Sequence, residues 1–208
     1  MKTVIYIHGS QGKMGRTVAT VAEADGLTLS PDLEAAEVAV DFSAPAALND
    51  LLEKCYALKK PLVIGTTGHS SENEGLLKAK AKHIPILFSP NFSLGLAVCI
   101  EAAQLMASRL KEKAHIEIIE AHHSSKKDQP SGSALVLSQA TDAKKIHAIR
   151  AGDIVGDHTV LFVMKGERIE LKHQVQSREA FAKGALAAAR FLKNKKPGLY
   201  TIKDLLCI

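Results

Sequence analysis

Residues 120–133 read EAHHSSKKDQPSGS, which gathers two histidines, two lysines and four serines into one short stretch. Histidine titrates near neutrality, so one of the rings of His122 and His123 can deliver a proton while the other binds or orients. Lys126 and Lys127 add positive charge. Pro130-Ser131-Gly132-Ser133 then runs into the apolar segment ALVLSQA, a helix start whose first amides lack intrahelical partners and can receive a carboxylate or phosphate. Ser131 or Ser133 is equally suited to cap that helix. Neighbouring side chains on extended backbone point to opposite faces, and no second ligand pair is spaced to help, so no metal site is expected. The stretch suits a small dianion: one carboxylate on backbone amides and hydroxyls, one on a lysine, and a histidine beside them.

A second cluster lies near the N-terminus. VIYIHGSQGKMG sets Gly9, Gly12 and Gly15 directly after a strand and at a helix start. Glycines there permit a tight turn, let backbone approach a pyrophosphate, and leave the helix N-terminus to meet its charge. The spacing is G-x-x-G-x-x-G, and Met14 follows Lys13 where a nucleotide-triphosphate loop needs a hydroxyl. For the adenosine ribose, Asp32 is one candidate partner. Ser30 with Arg16 or Lys13 would instead tolerate a 2′-phosphate, so NADPH and NADH both stay open. Gly65-Thr66-Thr67-Gly68 follows another apolar strand, at the carboxyl end where open α/β sheets bind ligands.

The elements that must carry these clusters fall into two patterns. Strands are expected at 4–8, 27–30, 38–42, 62–65 and 84–88, alternating with helices at 13–24, 46–58 and 71–82, which predicts a doubly wound parallel sheet of the Rossmann type. After Asn91 the rhythm changes to a long helix over 94–110, a strand over 116–121, the histidine stretch, and a helix from about Ser133. HTVLFVMKG and ERIELKHQV then read as an antiparallel hairpin turning at Lys165-Gly166. A strong helix over 180–192 and a weak one over 200–206 form a tail able to return to the first sheet.

Composition narrows the class. The 208 residues are 46% hydrophobic and 24% charged, which fits a globular chain, and Lys plus Arg exceed Asp plus Glu by 27 to 22, a balance open to nucleic acid, an acidic small substrate or nothing specific. No zinc-finger spacing, aromatic RNA-binding signature or Trp speaks for nucleic acid. No apolar run reaches the roughly 18–20 residues of a membrane span, and a cytoplasmic location is expected. Cys55, Cys99 and Cys207 are odd in number and far apart, which predicts no disulfide framework; a nucleophilic Cys99 would mark a semialdehyde-dehydrogenase type of enzyme.

GSQGKMGR, DFSAP (41–45), VIGTTG (63–68), SPNFSLG (89–95), IEIIEAHHSSKKDQPSGSAL (116–135), RAGDIVGDHTV (150–160) and SREAFAKGA (177–185) run in order along nearly the whole chain. In these motifs the sequence resembles the 4-hydroxy-tetrahydrodipicolinate reductase (dihydrodipicolinate reductase) family of NAD(P)H-dependent enzymes in lysine and diaminopimelate synthesis. The resemblance implies a Rossmann-type domain over 1–92, to which 178–208 returns. It also implies a central α+β domain over 93–177, with an open mixed sheet that binds substrate and builds a homotetramer. It places Gly9, Gly12, Lys13, Met14, Gly15, Gly65, Thr66, Thr67, Ser89, Asn91 and Phe92 at the cofactor. His122 falls on the proton donor, with Lys126 able to share that role, and His123, Lys126, Ser131, Gly132 and Ser133 fall on the substrate. Arg178 matches an arginine near the return crossover. The chain departs from the family after Ser30, where PDLEAAEVAVDFS follows almost at once.

Overall fold

A computed structural model describes residues 2–206, which separate into two compact units, residues up to Ser93 together with those from Glu179 onward, and Leu94–Arg178. The first unit is built on a sheet of six parallel strands, β1 (Val4–His8), β2 (Thr28–Leu29), β3 (Val38–Asp41), β4 (Leu62–Ile64), β5 (Pro85–Phe88) and β10 (Gly198–Tyr200), in the order β10-β5-β4-β3-β1-β2. Every residue of β3 and β4 is buried, as parallel strands covered on both faces require. Helices α1 (Lys13–Ala24), α2 (Leu48–Ala57) and α3 (Ser71–Lys80) connect the strands. Leu48, Leu51 and Leu52 of α2 and Leu77 of α3 pack with Leu62, Ile64 and Ile86.

The tail completes this unit. Helix α6 (Glu179–Leu192) packs on α1 and on β3, β4 and β5, and β10 pairs with β5 at the sheet edge. The approach of α6 is close at one point: a side chain on Gly184 would place Cβ 1.7 Å from the Phe92 carbonyl oxygen.

In the second unit, β6 (His115–His122), β7 (Lys145–Arg150), β8 (Gly156–Met164) and β9 (Glu167–Val175) form a mixed sheet in the order β7-β6-β8-β9. Strand β6 runs parallel to β7 and antiparallel to β8, and β8 turns into β9 with Gly166 at φ +87°. Helices α4 (Leu94–Leu110) and α5 (Gly132–Thr141) cover one face, where Leu96, Ile100 and Leu137 meet Ile118, Val160 and Phe162.

Several elements differ from expectation. Strand β6 extends to His122, so that histidine stands at a strand end rather than in a loop. The helix expected from Ala46 opens with a 3-10 turn over Pro45–Ala47; proline at the first position fixes φ and needs no amide partner there. Strands β7 and β10 were not expected. KIHAIR carries too little apolar surface to signal itself, and β10 is three residues long, so both owe their conformation to the neighbouring strand. Cys207 lies outside the described residues.

Gly184→Ala should destabilise the first unit by about 3 kcal/mol through overpacking. Gly75→Ala, in exposed helix with open space around it, should stabilise by roughly 0.5–1 kcal/mol. Denaturant midpoints of the two variants read both signs.

Candidate active site

In the first unit β1 lies between β2 and β3, so the chain leaves it toward one side and later returns on the other. This switch point opens a crevice at the strand carboxyl ends. The glycine turn fills it because nothing larger fits. Gly9 has φ +79°, and its Cβ would lie 2.6 Å from the Phe42 carbonyl oxygen; the Cβ of Gly15 would lie 2.2 Å from Gly9 O. Gly12 caps α1 without a side-chain bond, and no acidic residue occupies the first turn, so the positive end of the helix is left to an anion. Such a cradle, closed to side chains and open to a phosphate, fits a dinucleotide. Lys13 is exposed and Met14 half-buried at its rim.

The other residues expected at the cofactor divide between surface and scaffold. Gly65 abuts the Phe42 ring, where a Cβ would come within 2.1 Å. Thr66 is buried, its hydroxyl accepting the Ser43 amide at 2.9 Å, whereas Thr67 is exposed. The buried Ser89 hydroxyl donates to Asn91 O at 2.6 Å, and Asn91 Oδ1 accepts the Ser93 amide at 2.8 Å. Phe92 is a core residue, 1% exposed and set edge-on to Phe42 at 5.8 Å. Ser30 and Asp32 bond to each other, Ser30 Oγ donating to Asp32 O at 2.7 Å, and Asp32 Oδ1 accepts the Glu34 amide at 3.0 Å.

In the second unit the strand period of two puts Glu120 and His122 on one face of β6. Glu120 is wholly buried and His122 is 8% exposed. His122 Nδ1–H donates to Glu120 Oε2 at 2.5 Å, which leaves Nε2 as the nitrogen turned from the carboxylate. Arg150, paired across the sheet with His122, donates from both terminal nitrogens to the two Glu120 oxygens at 2.8 Å each. Glu120 Oε1 also accepts the Ser131 amide at 3.1 Å. Ser131 caps α5 by accepting the Ala134 amide at 3.2 Å, and its hydroxyl meets His158 Nε2 at 3.3 Å. Because amide and hydroxyl of Ser131 are both committed, the outward part of the turn is Gly132, which is exposed.

The remaining residues of the stretch stand around this core. His123, just past the end of β6, bonds Ser125 Oγ through Nδ1 at 2.8 Å. Lys126 Nζ pairs with Asp128 at 2.7 Å. Arg178 is half-buried at the end of the unit. Burial pushes the half-buried Cys99 thiol up, away from the thiolate a nucleophile needs.

Burial sets the electrostatics. It pushes Glu120 up, but the bonds from Arg150, His122 and the Ser131 amide outweigh it and hold the carboxyl below its usual range. Burial lowers His122, and with Arg150 already answering the Glu120 charge, the carboxylate does not restore the ring to its ordinary value. His158 is driven down to about 4 by burial and by the neighbouring His122 and His173. Glu120, Arg150 and His158 were not among the expected site residues. The signal for Glu120 was present, a carboxylate at i−2 from a histidine in an otherwise apolar strand. Arg150 had none, because its strand was not recognised.

The N-terminal family model described as Dihydrodipicolinate reductase matches residues 27–92, and its C-terminal counterpart matches 95–206. The chain is 40% identical over 235 residues to 4-hydroxy-tetrahydrodipicolinate reductase of Alkaliphilus oremlandii, covering 97% of this chain and 98% of that one. It is 42% identical over 209 residues to the enzyme so named from Thermosipho africanus, covering 95% of each. Dipicolinate-bound dihydrodipicolinate reductase from Paenisporosarcina sp. TG-14 shares the fold, with a TM-score of 0.80 over 97% of this chain and 98% of that one at 20% identity. Fold and relatives together define a pyridine-nucleotide-dependent oxidoreductase. The chain belongs to the dihydrodipicolinate reductase family, the 4-hydroxy-tetrahydrodipicolinate reductases of lysine and diaminopimelate biosynthesis.

A histidine whose folded pKa is depressed binds its proton more readily once unfolded, so stability is lost as pH falls through the unfolded value. Urea unfolding should therefore show falling stability between about pH 6.5 and 4, and His158→Gln should remove a fall of about 3.5 kcal/mol at most. Below that window the depressed Glu120 adds a further loss as it is protonated.

Proposed function

We propose that the protein reduces 4-hydroxy-tetrahydrodipicolinate to tetrahydrodipicolinate with NADPH or NADH. The observation that carries this is a buried histidine, His122, tied through one carboxylate to the turn that opens α5. A proton donor thus stands beside an anion-receiving helix end, the pairing a cyclic dicarboxylate calls for.

When bound, the reduced nicotinamide supplies a hydride, which goes to substrate C4 after loss of water. Gly9, Gly12, Lys13, Met14 and Gly15 hold the pyrophosphate side, while Gly65, Thr66, Thr67, Ser89, Asn91 and Phe92 shape the nicotinamide side, Thr66, Ser89 and Phe92 from within the core. One substrate carboxylate rests on the Ser131-Gly132-Ser133 turn at its exposed Gly132, with Ser131 holding the turn in place. The other is taken by Lys126, released from Asp128, with His123. His122 Nε2 gives a proton to neutralise the electron pair that reaches the ring nitrogen, and Lys126 is close enough in sequence to assist.

Of the two nicotinamides we favour NADH. A cleft of about 340 Å³ beside the end of β2 is lined by Asp32, Glu34 and Asp50, and the Lys54 amine among them is bound to Asp50 at 2.7 Å. Carboxylates accept from ribose hydroxyls but repel a 2′-phosphate. The chain is also proposed to form a homotetramer through the β7-β6-β8-β9 face opposite α4 and α5, where Ile149 and Val163 are 48% and 41% exposed, and to work in the cytoplasm. Among the described residues no helix is long and apolar enough to cross a membrane.

With substrate generated from pyruvate and aspartate semialdehyde by the preceding synthase, loss of nicotinamide absorbance should be faster with NADH than with NADPH. His122→Gln should lower kcat about 10²–10⁴-fold with KM little changed, and Lys126→Ala should raise KM as well as slow turnover. Normal turnover in His122→Gln would remove the proton-donor assignment.

A further inference from the structure

Glu120 is an unusual group to bury, since an ionised carboxylate inside a protein is costly unless every lone pair is answered. Here the bonds are divided among three elements. Arg150 of β7 takes both oxygens, His122 of β6 takes one, and the Ser131 amide before α5 takes the other. Arg150 is held in turn by the carbonyls of Asp128 and Ile149, at 2.6 and 2.7 Å. Beyond the Arg150 pair, the two further bonds reach the histidine and the turn before α5, so the groups that complete the carboxylate are the ones the site uses. Space at the other ring nitrogen is guarded as well: Gly156 opposes His122 Nε2, and a Cβ there would stand 3.2 Å from it.

We propose that Glu120, held by Arg150, is the positioning residue of the site: it fixes His122 with its proton-donating Nε2 outward and sets that ring in register with the Ser131-Gly132 turn. The charge on Glu120 then supports the imidazolium form of His122, and Arg150 limits that support so the ring can release its proton. The other charged or titratable groups facing His122 are Lys126 from the loop, with its partner Asp128, and His158 of β8, whose ring lies 5.2 Å away with His173 behind it. None of these bonds to Nδ1, so the tautomer rests on Glu120.

The proposal rests on the reductase assignment above for its kinetic consequence but not for its geometry, and the test separates the two. A proton donor is lost as pH rises past its pKa, so the alkaline limb of the kcat profile reports His122. Glu120→Gln removes the charge and should move that limb to lower pH by about one unit, with kcat at pH 7.5 down about 10–100-fold and KM changed less than threefold. Arg150→Met leaves the Glu120 charge unanswered and should move the limb the other way, to higher pH. The two variants break the same ion pair, so a merely structural role would lower stability in both without opposite shifts. The ring of His122, identified by its loss in His122→Gln, is titrated by NMR in the same two variants without cofactor or substrate, and should shift in the same opposite directions. Opposite shifts by NMR in a protein with no reductase activity would uphold the positioning role and overturn the reaction. An active reductase whose kinetic limb and His122 titration stay put, or move together, in both variants would overturn the positioning role. Should Glu120→Gln fail to fold, Gly156→Ala serves as the second variant: crowding Nε2 should cut kcat several-fold with the fold intact, and unchanged kcat would count against the outward Nε2.

Discussion

The second unit is organised around a carboxylate that cannot be left alone. Once Glu120 is placed at a buried position on β6, the fold must supply a cation and donors, and it does so by laying β7 parallel to β6 with Arg150 opposite His122 and by starting α5 at an amide within reach. Removing one partner of such a cluster strands a charge where water cannot reach it, at a cost of several kcal/mol. The arrangement therefore ties the position of His122 to the integrity of the sheet.

The first unit solves a different problem, that of bringing backbone close to a phosphate. Its solution is steric. Gly9, Gly15 and Gly65 each sit where a Cβ would collide with the backbone or ring of a neighbouring segment, so the crevice at the switch point stays shallow and its amides stay accessible. Phe42 is shared by these contacts: its carbonyl abuts Gly9, its ring abuts Gly65, and Phe92 packs against it. The turn after β1 and the turn after β4 are thereby held to one another through a single aromatic residue.

Much of this was legible in the sequence because the signals were local. Alternation of short apolar runs with helical periods gave the parallel sheet, and helices α1 and α4 have the predicted bounds, since spacing alone defines them. The histidine stretch was visible from residue types that have no bland reason to cluster. What stayed hidden depends on partners distant in sequence. Strand β7 is defined by pairing with β6, β10 by pairing with β5, and Arg150 became part of the site only through register. Phe92 and Thr66, read as cofactor positions from their motifs, are both buried, and the Thr66 hydroxyl accepts the Ser43 amide. Side-chain type names a residue's chemistry, but burial decides whether that chemistry faces outward.

The path of the chain through the two units also has a consequence for its birth on the ribosome. The second unit is one uninterrupted segment, Leu94–Arg178, while the first needs α6 and β10, which follow that segment in the chain. Until those elements emerge, β5 has an uncovered edge and the groove that Gly184 will fill beside Phe92 stays empty. During synthesis the second unit can therefore close from one continuous stretch, while the first stays open-edged until the segment beyond Arg178 has been made.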